Sequence, residues 1–183
     1  MVTADKVFNE TQLKKLFNKL KSEKDKSLLA ICDRPKLSML SEVRVVMDFY
    51  MFSIMSNTGL RVSELLQLRV EDIGDDYISI RREISKNGKA GSVYFGKTTR
   101  GLLDEYSEFR SLKFGDFATT ILFPSKHSKS RSLSRSHLHC RLKYWLNLCG
   151  LPNHLSIHSL RHTYGTTCLD NGLSLTFVLT GWN

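Results

Sequence analysis

The chain has 183 residues, enough for one domain with a sizeable hydrophobic core. Lysine and arginine total 27 against 18 aspartates and glutamates, which gives a formal net charge of +9 and a pI of about 9.5. This surplus favours a polyanionic partner, most simply nucleic acid, although a solubilising surface explains charge alone equally well. No apolar run approaches a membrane span and the N-terminus lacks a signal-peptide pattern, so we expect a cytoplasmic protein.

Cysteine usage gives no sign of a disulfide framework. The four cysteines are Cys32, Cys140, Cys149 and Cys168. Their spacings match neither a Cys-x-x-Cys metal site nor a disulfide-rich domain, so we expect reduced and mostly buried thiols. The alternative is the zinc site of a metal-dependent hydrolase, built from His137, His139, Cys140 and Cys149.

The first part of the chain predicts two helices and a connection between them. Residues 1–8 look like a flexible lead, and Asn9 begins the first helix with Gln12 as its reciprocal capping partner. The charged segment 21–37 contains a proline and predicts a connection with a short helical piece. Residues 38–56 are apolar on every side, which predicts the central helix of the core.

The middle of the chain alternates between helical and strand patterns. A short helix is predicted over residues 61–68, and the alternation over 77–81 predicts a strand. The Asn-Gly pair at 87–88 signals a turn, and residues 92–95 predict the returning strand. Residues 98–112 predict another helix with an apolar inner face.

The last part predicts helices around a basic loop. Residues 125–133 are rich in serine and basic side chains, which predicts a mobile loop, and a helix follows over 134–149. The basic face of that helix holds Arg135, Arg141 and Lys143. A further helix begins near residue 158 and ends at 171–172, and a final one begins near 174. The predicted fold class is mostly α with a small antiparallel β-hairpin, an α+β arrangement.

Two short stretches carry the residues that suit phosphate chemistry. HSLRHTYGTT places His158 and Arg161 on one helix face, where a guanidinium can grip two phosphate oxygens and an imidazole can move a proton. TGLRVSELL uses a glycine turn to deliver Arg61 to the first turn of a helix. The helix dipole disfavours a cation there, so a bound anion would explain the placement, whereas a solvated arginine is the plain alternative. Glu64 could hold this guanidinium or form an ordinary surface ion pair.

In this order and spacing, the two stretches resemble the catalytic domain of tyrosine recombinases, the phage-integrase family. TGLRVSELLQLRVEDI is similar to the first-arginine box of the family, and HSLRHTYGTTCLDNG to its His-x-x-Arg box. The resemblance runs from about residue 8 to the last residue, and nothing here corresponds to the N-terminal DNA-clamping domain of full-length members. It implies a catalytic domain over residues 9–183 that cleaves and rejoins DNA through a 3′-phosphotyrosyl intermediate, without a metal or nucleotide cofactor.

The same resemblance implies the catalytic residues Arg61, Lys86, His158, Arg161 and Trp182. The arginines would stabilise the non-bridging phosphate oxygens, and His158 would transfer a proton. Lys86, on the predicted hairpin, would protonate the departing 5′ oxygen, with Lys89 as its rival and two solvated turn lysines as the alternative. Trp182 would donate its indole N–H to the phosphate or, alternatively, pack in the core.

Supporting and DNA-contacting residues follow from the same comparison with the family. Glu64 and His162 are expected to support the arginines and the helix. Contacts to the DNA backbone are expected from Lys89, Lys126, Lys129, Arg131 and Arg135. The expected partners are double-stranded DNA and, in the full-length protein, further copies of itself on DNA. A nucleoid-associated location follows from that partner.

The nucleophile of the family lies a short way beyond the position of Trp182, and the sequence given stops at Asn183. None of its six tyrosines has that context, and Tyr164 falls where the family has a packing aromatic. We therefore expect the nucleophilic tyrosine just beyond residue 183 and no activity from the 183-residue chain by itself. The alternatives are a non-catalytic DNA-binding relative and a type IB topoisomerase-like enzyme, which uses the same chemistry.

Overall fold

The computed structural model describes residues 6–33, 40–115, 120–125 and 128–172, with only the backbone described at residue 40 and at 128–131. These residues form six helices and two small antiparallel sheets. In chain order they are α1 (Glu10–Asp33), α2 (Leu40–Thr58), α3 (Val62–Gln67), β1 (Tyr77–Ile80), β2 (Gly91–Tyr94), α4 (Lys97–Phe114), β3 (Pro124–Ser125), β4 (Ser128–Ser132), α5 (Arg135–Leu148) and α6 (Ile157–Asp170). The predicted fold class, mostly α with a small antiparallel hairpin, is confirmed.

Helix α2 is the centre of the core, as its sequence predicts. Every residue from Val46 to Met55 is buried, so no face of this segment reaches solvent. Helices α1, α4 and α6 pack around it. A helix that is apolar on all sides is stable only when it is covered in this way, because exposed apolar area costs free energy in water.

Helix α1 begins as predicted and ends much later than predicted. The Asn9 amide donates to Gln12 Oε1 (3.0 Å) and the Gln12 amide to Asn9 Oδ1 (2.9 Å), which is the expected reciprocal cap. The predicted connection over 21–37 is wrong for residues 21–33, which continue the helix against α2. The flexible lead is also wrong at its end, because Phe8 is buried in the core.

A buried lysine explains why the charged second half of α1 remains helical. The ammonium of Lys24 lies 4.8 Å from the centroid of the Phe49 ring, and the whole residue is only 7% exposed. It also forms ion pairs with Asp25 (3.2 Å) and Glu105 (3.8 Å). The hydrocarbon stem therefore covers α2 while carboxylates and an aromatic face neutralise the charge.

The two sheets lie on either side of α4 in the sequence. Strands β1 and β2 pair antiparallel with Tyr77 opposite Tyr94, which confirms the predicted hairpin. Its connection spans residues 81–90 and turns at Gly88, where φ is +63°. The predicted mobile loop over 125–133 is wrong for β4, whose backbone pairs with β3. The serine and basic residues of β4 lack the apolar alternation that predicts a strand. Only the backbone hydrogen bonds to β3 identify this segment as a strand.

Helix α5 is attached to α2 by a buried charge. Asp48 is fully buried, and its Oδ2 atom accepts from Arg141 Nε (2.7 Å) and from Trp145 Nε1 (2.8 Å). Burial raises the pKa of this carboxyl, while the hydrogen bonds from Arg141 and Trp145 act in the opposite direction. The predicted basic face of α5 is therefore wrong for Arg141, which points into the protein.

The cysteines differ in exposure from the prediction. All four are free; Cys149 is buried, Cys168 is intermediate, and Cys32 and Cys140 are exposed, so "mostly buried" is wrong. Among the residues that the structure describes, no three His, Cys, Asp or Glu side chains are grouped closely enough to hold a metal ion. The alternative set of His137, His139, Cys140 and Cys149 is thus not assembled as a site. None of the described helices is both long and apolar enough to span a membrane.

Candidate functional site

The turn between α2 and α3 places Arg61 at the edge of the core. The Gly59 amide closes α2 on the Met55 carbonyl (2.9 Å), and Gly59 then adopts a φ of +64°. Leu60 is fully buried, which fixes the turn and leaves Arg61 at the N-cap of α3. The short apolar sequence of α3 thus starts where the glycine reverses the chain.

Glu64 holds Arg61 by both backbone and side chain. Its Oε2 atom accepts from the Arg61 amide (2.8 Å), and its Oε1 atom accepts from Arg61 Nη1 (2.9 Å). Glu64 is only 4% exposed, so this ion pair is not an ordinary surface pair. The contact predicted between the two residues is present, and it fixes the direction of the guanidinium. Its role towards a phosphate remains a prediction.

Arg161 reaches the same turn from helix α6. Its Nη1 atom donates to the carbonyl of Gly59, and the residue is 7% exposed. Burial, followed by the charge of Arg61, lowers the pKa of Arg161 to about 10, while Glu64 opposes this shift. The guanidinium is still protonated at neutral pH. The two arginines are far apart in the sequence but close enough in the fold for their charges to interact.

Tyr164 packs directly on the glycine of this turn. A Cβ atom on Gly59 would lie 2.4 Å from Cδ1 of the Tyr164 ring, far inside contact distance. Only glycine permits both this approach and the positive φ. Burial raises the pKa of Tyr164 to about 12, and a hydrogen bond with Cys168 adds to the shift. Tyr164 is half-buried and its ring packs on Gly59, in agreement with its prediction as a packing residue.

The two histidines of α6 extend the positive region. His158 is the second residue of the helix and is exposed, whereas His162 is half-buried. Burial lowers the pKa of His162, and so do the charges of His158, Arg161 and Lys6. His162 therefore lies among cationic groups, and it favours the neutral imidazole more than a solvated histidine does.

Lys6 is a neighbour of the site that the sequence did not reveal. Two residues later, the Phe8 amide donates to Thr163 Oγ1 (2.9 Å), which attaches the N-terminal segment to α6. Lys6 was assigned to a flexible lead because only a tertiary contact, absent from any local pattern, brings it to His162. An exposed lysine beside α6 adds to the positive potential there.

The other predicted site residues lie elsewhere or outside the described residues. Lys86 and Lys89 are both exposed on the connection between β1 and β2, and neither takes part in the contacts that join Arg61 to Arg161. The choice between these lysines stays open. Arg135 is exposed at the start of α5, as a DNA contact requires. Only the backbone is described at Lys129 and Arg131, and Lys126 and Trp182 lie outside the described residues.

Solved structures share this fold. The XerA recombinase superposes with a TM-score of 0.70 at 21% identity over 94% of this chain and 53% of its own. The XerH site-specific recombinase bound to its difH substrate gives a TM-score of 0.68 at 22% identity over 96% of this chain and 46% of its own. At this identity the likeness establishes the fold, and the functional assignment needs the sequence relatives.

Curated relatives match most of the chain. Tyrosine recombinase XerD of Vibrio vulnificus is 30% identical over 151 residues, which are 81% of this chain and 48% of the relative. Tyrosine recombinase XerC of Leptospira interrogans is 28% identical over 75% of this chain and 43% of its own. The chain thus spans about half the length of these relatives. The model of the phage integrase family matches residues 7–182, so the chain belongs to that family.

Proposed function

We propose that this chain is the catalytic domain of a tyrosine recombinase, which cleaves and rejoins DNA strands at specific sites. The observation that supports it best is the placement of Arg161 beside Arg61, with the Gly59 carbonyl between the two motifs. Two guanidinium groups repel each other, and burying one of them costs free energy. A bound phosphate would reduce this repulsion, because its oxygens can accept hydrogen bonds from both guanidinium groups.

In the proposed reaction the tyrosine hydroxyl, expected beyond residue 183, attacks the phosphorus and forms a phosphotyrosyl bond. The bond to the 5′ oxygen breaks, and that oxygen takes its electron pair and a proton supplied by Lys86, or by Lys89. Arg61 and Arg161 stabilise the charge on the non-bridging oxygens. His158 takes up the proton that the tyrosine hydroxyl releases, and Trp182 donates an N–H to the phosphate. The reverse sequence joins the strand to a new 5′ hydroxyl, and no step needs a metal or nucleotide cofactor.

The partner in this proposal is double-stranded DNA. The net charge of +9 and the exposed Arg135 support contacts to the phosphate backbone. We further propose that the full-length protein self-associates on DNA in a nucleoid-associated location. One structural neighbour, lambda integrase, is a tetramer bound to a Holliday junction.

A covalent trapping experiment tests the proposal. A nicked substrate that loses its 5′ fragment after cleavage is incubated with the 183-residue chain and with a version extended through the tyrosine-bearing segment. We expect a denaturant-resistant protein–DNA adduct from the extended version only. Arg161→Ala in that version should reduce adduct formation about 100- to 1,000-fold, because a preorganised donor to the transition state is lost.

Controls separate the alternatives in the same experiment. Arg161→Lys keeps a positive charge at the site but lacks the two parallel N–H donors of a guanidinium. A folded Arg161→Lys variant that forms less adduct would therefore show the loss of bidentate geometry and not a failure to fold. Lys14→Ala, an exposed lysine on α1, should leave the adduct unchanged. DNA binding without any adduct from the extended chain would favour the non-catalytic relative. Relaxation of supercoiled DNA without strand exchange between two sites would favour the topoisomerase-like enzyme. An adduct from the 183-residue chain itself would overturn the assignment of the nucleophile.

A further inference from the structure

The connection between α5 and α6 determines where the helix of His158 begins. Gly150, with a φ of +59°, ends α5, and the Leu151 amide then donates to the Leu146 carbonyl (2.8 Å). The connection continues to Ser156, the N-cap of α6. His158 follows in the first turn, so any shift of this connection moves the imidazole directly.

Lys143 of α5 binds the backbone of that connection. Its ammonium donates to the carbonyl of Leu155 (2.7 Å) and also to the carbonyl of Asn153. An ammonium has three donor hydrogens, so these contacts use two of them. The sequence predicted that Lys143 lies on the basic face of α5. The structure directs its charge to the protein backbone instead.

These bonds attach the connection to α5. Leu155 is 1% exposed, so its carbonyl lies next to the core, where the loss of a partner is costly. Its amide makes a long hydrogen bond to the Pro152 carbonyl (3.3 Å). The cap of α6 is formed by Ser156 and Ser159, whose hydroxyl accepts from the Ser156 amide (3.0 Å). Lys143 therefore joins the residue before this cap to α5 by a long-range polar contact, in addition to the packing of Leu155 in the core.

We propose that Lys143 is a positioning residue for the phosphate site, which fixes the first turn of α6 and thereby the imidazole of His158. The inference rests on the proposed function. It predicts unequal effects within the site, because Arg161 has its own attachment at the Gly59 carbonyl. Loss of Lys143 should therefore loosen His158 more than Arg161.

The test uses the 183-residue chain with Lys143→Met, Lys143→Arg and the control Lys14→Met. Lys143→Met keeps the length of the stem and removes the donors, whereas arginine retains donors. Lys14→Met removes one charge from an exposed surface pair with Glu10. Binding of inorganic phosphate and the ring resonances of His158 are followed by NMR. Amide exchange is measured at Ser159, which donates to the Ser156 carbonyl, and at Gly59, which closes α2.

We expect Lys143→Met to weaken phosphate binding by about three- to tenfold, because loss of the bonds from a charged group misplaces the first turn. Its Ser159 amide should exchange about tenfold faster, with Gly59 unchanged, because only the end of α6 opens. The ring resonances of His158 should shift in this variant alone. Lys143→Arg should restore all three values, and Lys14→Met should match the wild type.

Each contrary outcome has a distinct meaning. If the wild type binds phosphate and Lys143→Met binds it equally well with unchanged His158 resonances, the proposal for Lys143 is overturned and the proposed function stands. If Ser159 and Gly59 accelerate together, Lys143 acts on global stability and the positioning role is overturned. If the wild type binds no phosphate, the proposed function loses its support and the Lys143 proposal fails with it.

Discussion

Arg141 and Arg161 are both largely buried arginines, but their charges are balanced in different ways. Arg141 lies against Asp48, with Nη2 only 2.6 Å from a carboxylate oxygen in the core. Arg161 donates to a backbone carbonyl and lies near a second guanidinium, which helps to lower its pKa to about 10. The first arginine completes an internal ion pair. The second contacts the turn between α2 and α3, from which Arg61 also starts.

This difference separates a structural arginine from one suited to binding an anion. A buried pair with good geometry has no capacity left for a ligand, and removing one partner leaves a costly isolated charge. Arg161 instead lies beside a second guanidinium, an arrangement that a bound anion would stabilise. Burial alone therefore does not identify the functional arginine in this core. The balance of neighbouring charges does, and it points to Arg161.

Replacing Arg141 and Arg161 in turn by methionine should show the difference between the two arginines most strongly. Arg141→Met should lower the free energy of unfolding by about 3–5 kcal/mol, because Asp48 would remain buried without its cation. Arg161→Met should cost less than about 1.5 kcal/mol, because it also removes a repulsion. Urea denaturation measures both, with Arg135→Met on the exposed face of α5 as the control. Equal losses at the two positions would contradict the distinction.

A second prediction concerns the glycine that joins the two arginine motifs. Gly59→Ala should destabilise the protein by about 2–4 kcal/mol, from backbone strain at positive φ together with overlap on the Tyr164 ring. Gly150 has a similar φ of +59° and nothing within 4 Å of an added Cβ. Gly150→Ala should thus show the strain alone, about 1–2 kcal/mol. Thermal unfolding compares the two variants.

Phosphate binding by the same two glycine variants also tests the contact that holds Arg161. Phosphate binding should weaken in Gly59→Ala and not in Gly150→Ala, because only the first disturbs the carbonyl that Arg161 contacts. Replacement of Tyr164 by leucine in the Gly59→Ala background should recover part of the lost stability. If the two glycine variants are equally stable, the contact between Gly59 and Tyr164 is not the constraint described here.

Local sequence patterns were sufficient to predict the helices whose apolar residues form a continuous face. The all-round apolar sequence of α2 predicted its central place, and the Asn9 and Gln12 pair predicted the start of α1. The two arginine motifs were visible because both lie at turns marked by glycine or a helix cap. Each of these features depends on residues within a few positions of one another, so the sequence contains the whole signal.

The errors concern residues whose partners are distant in the sequence. Spacing placed Arg141 and Lys143 on a basic face, but Asp48 and the carbonyl of Leu155 redirect them inward. The second half of α1 looked like a connection because its composition is charged, whereas Lys24 covers aromatic rings of α2. Strand β4 has no apolar alternation. Such contacts are decided by tertiary packing, which a single sequence does not encode locally.

The smallest expected effect is a dependence of stability on pH through His162. Burial, followed by the neighbouring cations, lowers the pKa of His162, so the unfolded chain binds this proton more tightly than the folded one. The contribution of His162 to the free energy of unfolding is therefore complete above the pKa of about 6.5 that histidine has in the unfolded chain. It is lost as the pH falls from that value towards the lower pKa of the folded state. His162→Gln should remove this part of the slope between pH 7.5 and pH 5.5 in urea denaturation. Saturating inorganic phosphate should reduce the slope of the wild type, because a bound anion offsets the neighbouring charges of His158, Arg161 and Lys6. A slope that is the same with and without phosphate would show that these cations do not share one anion site.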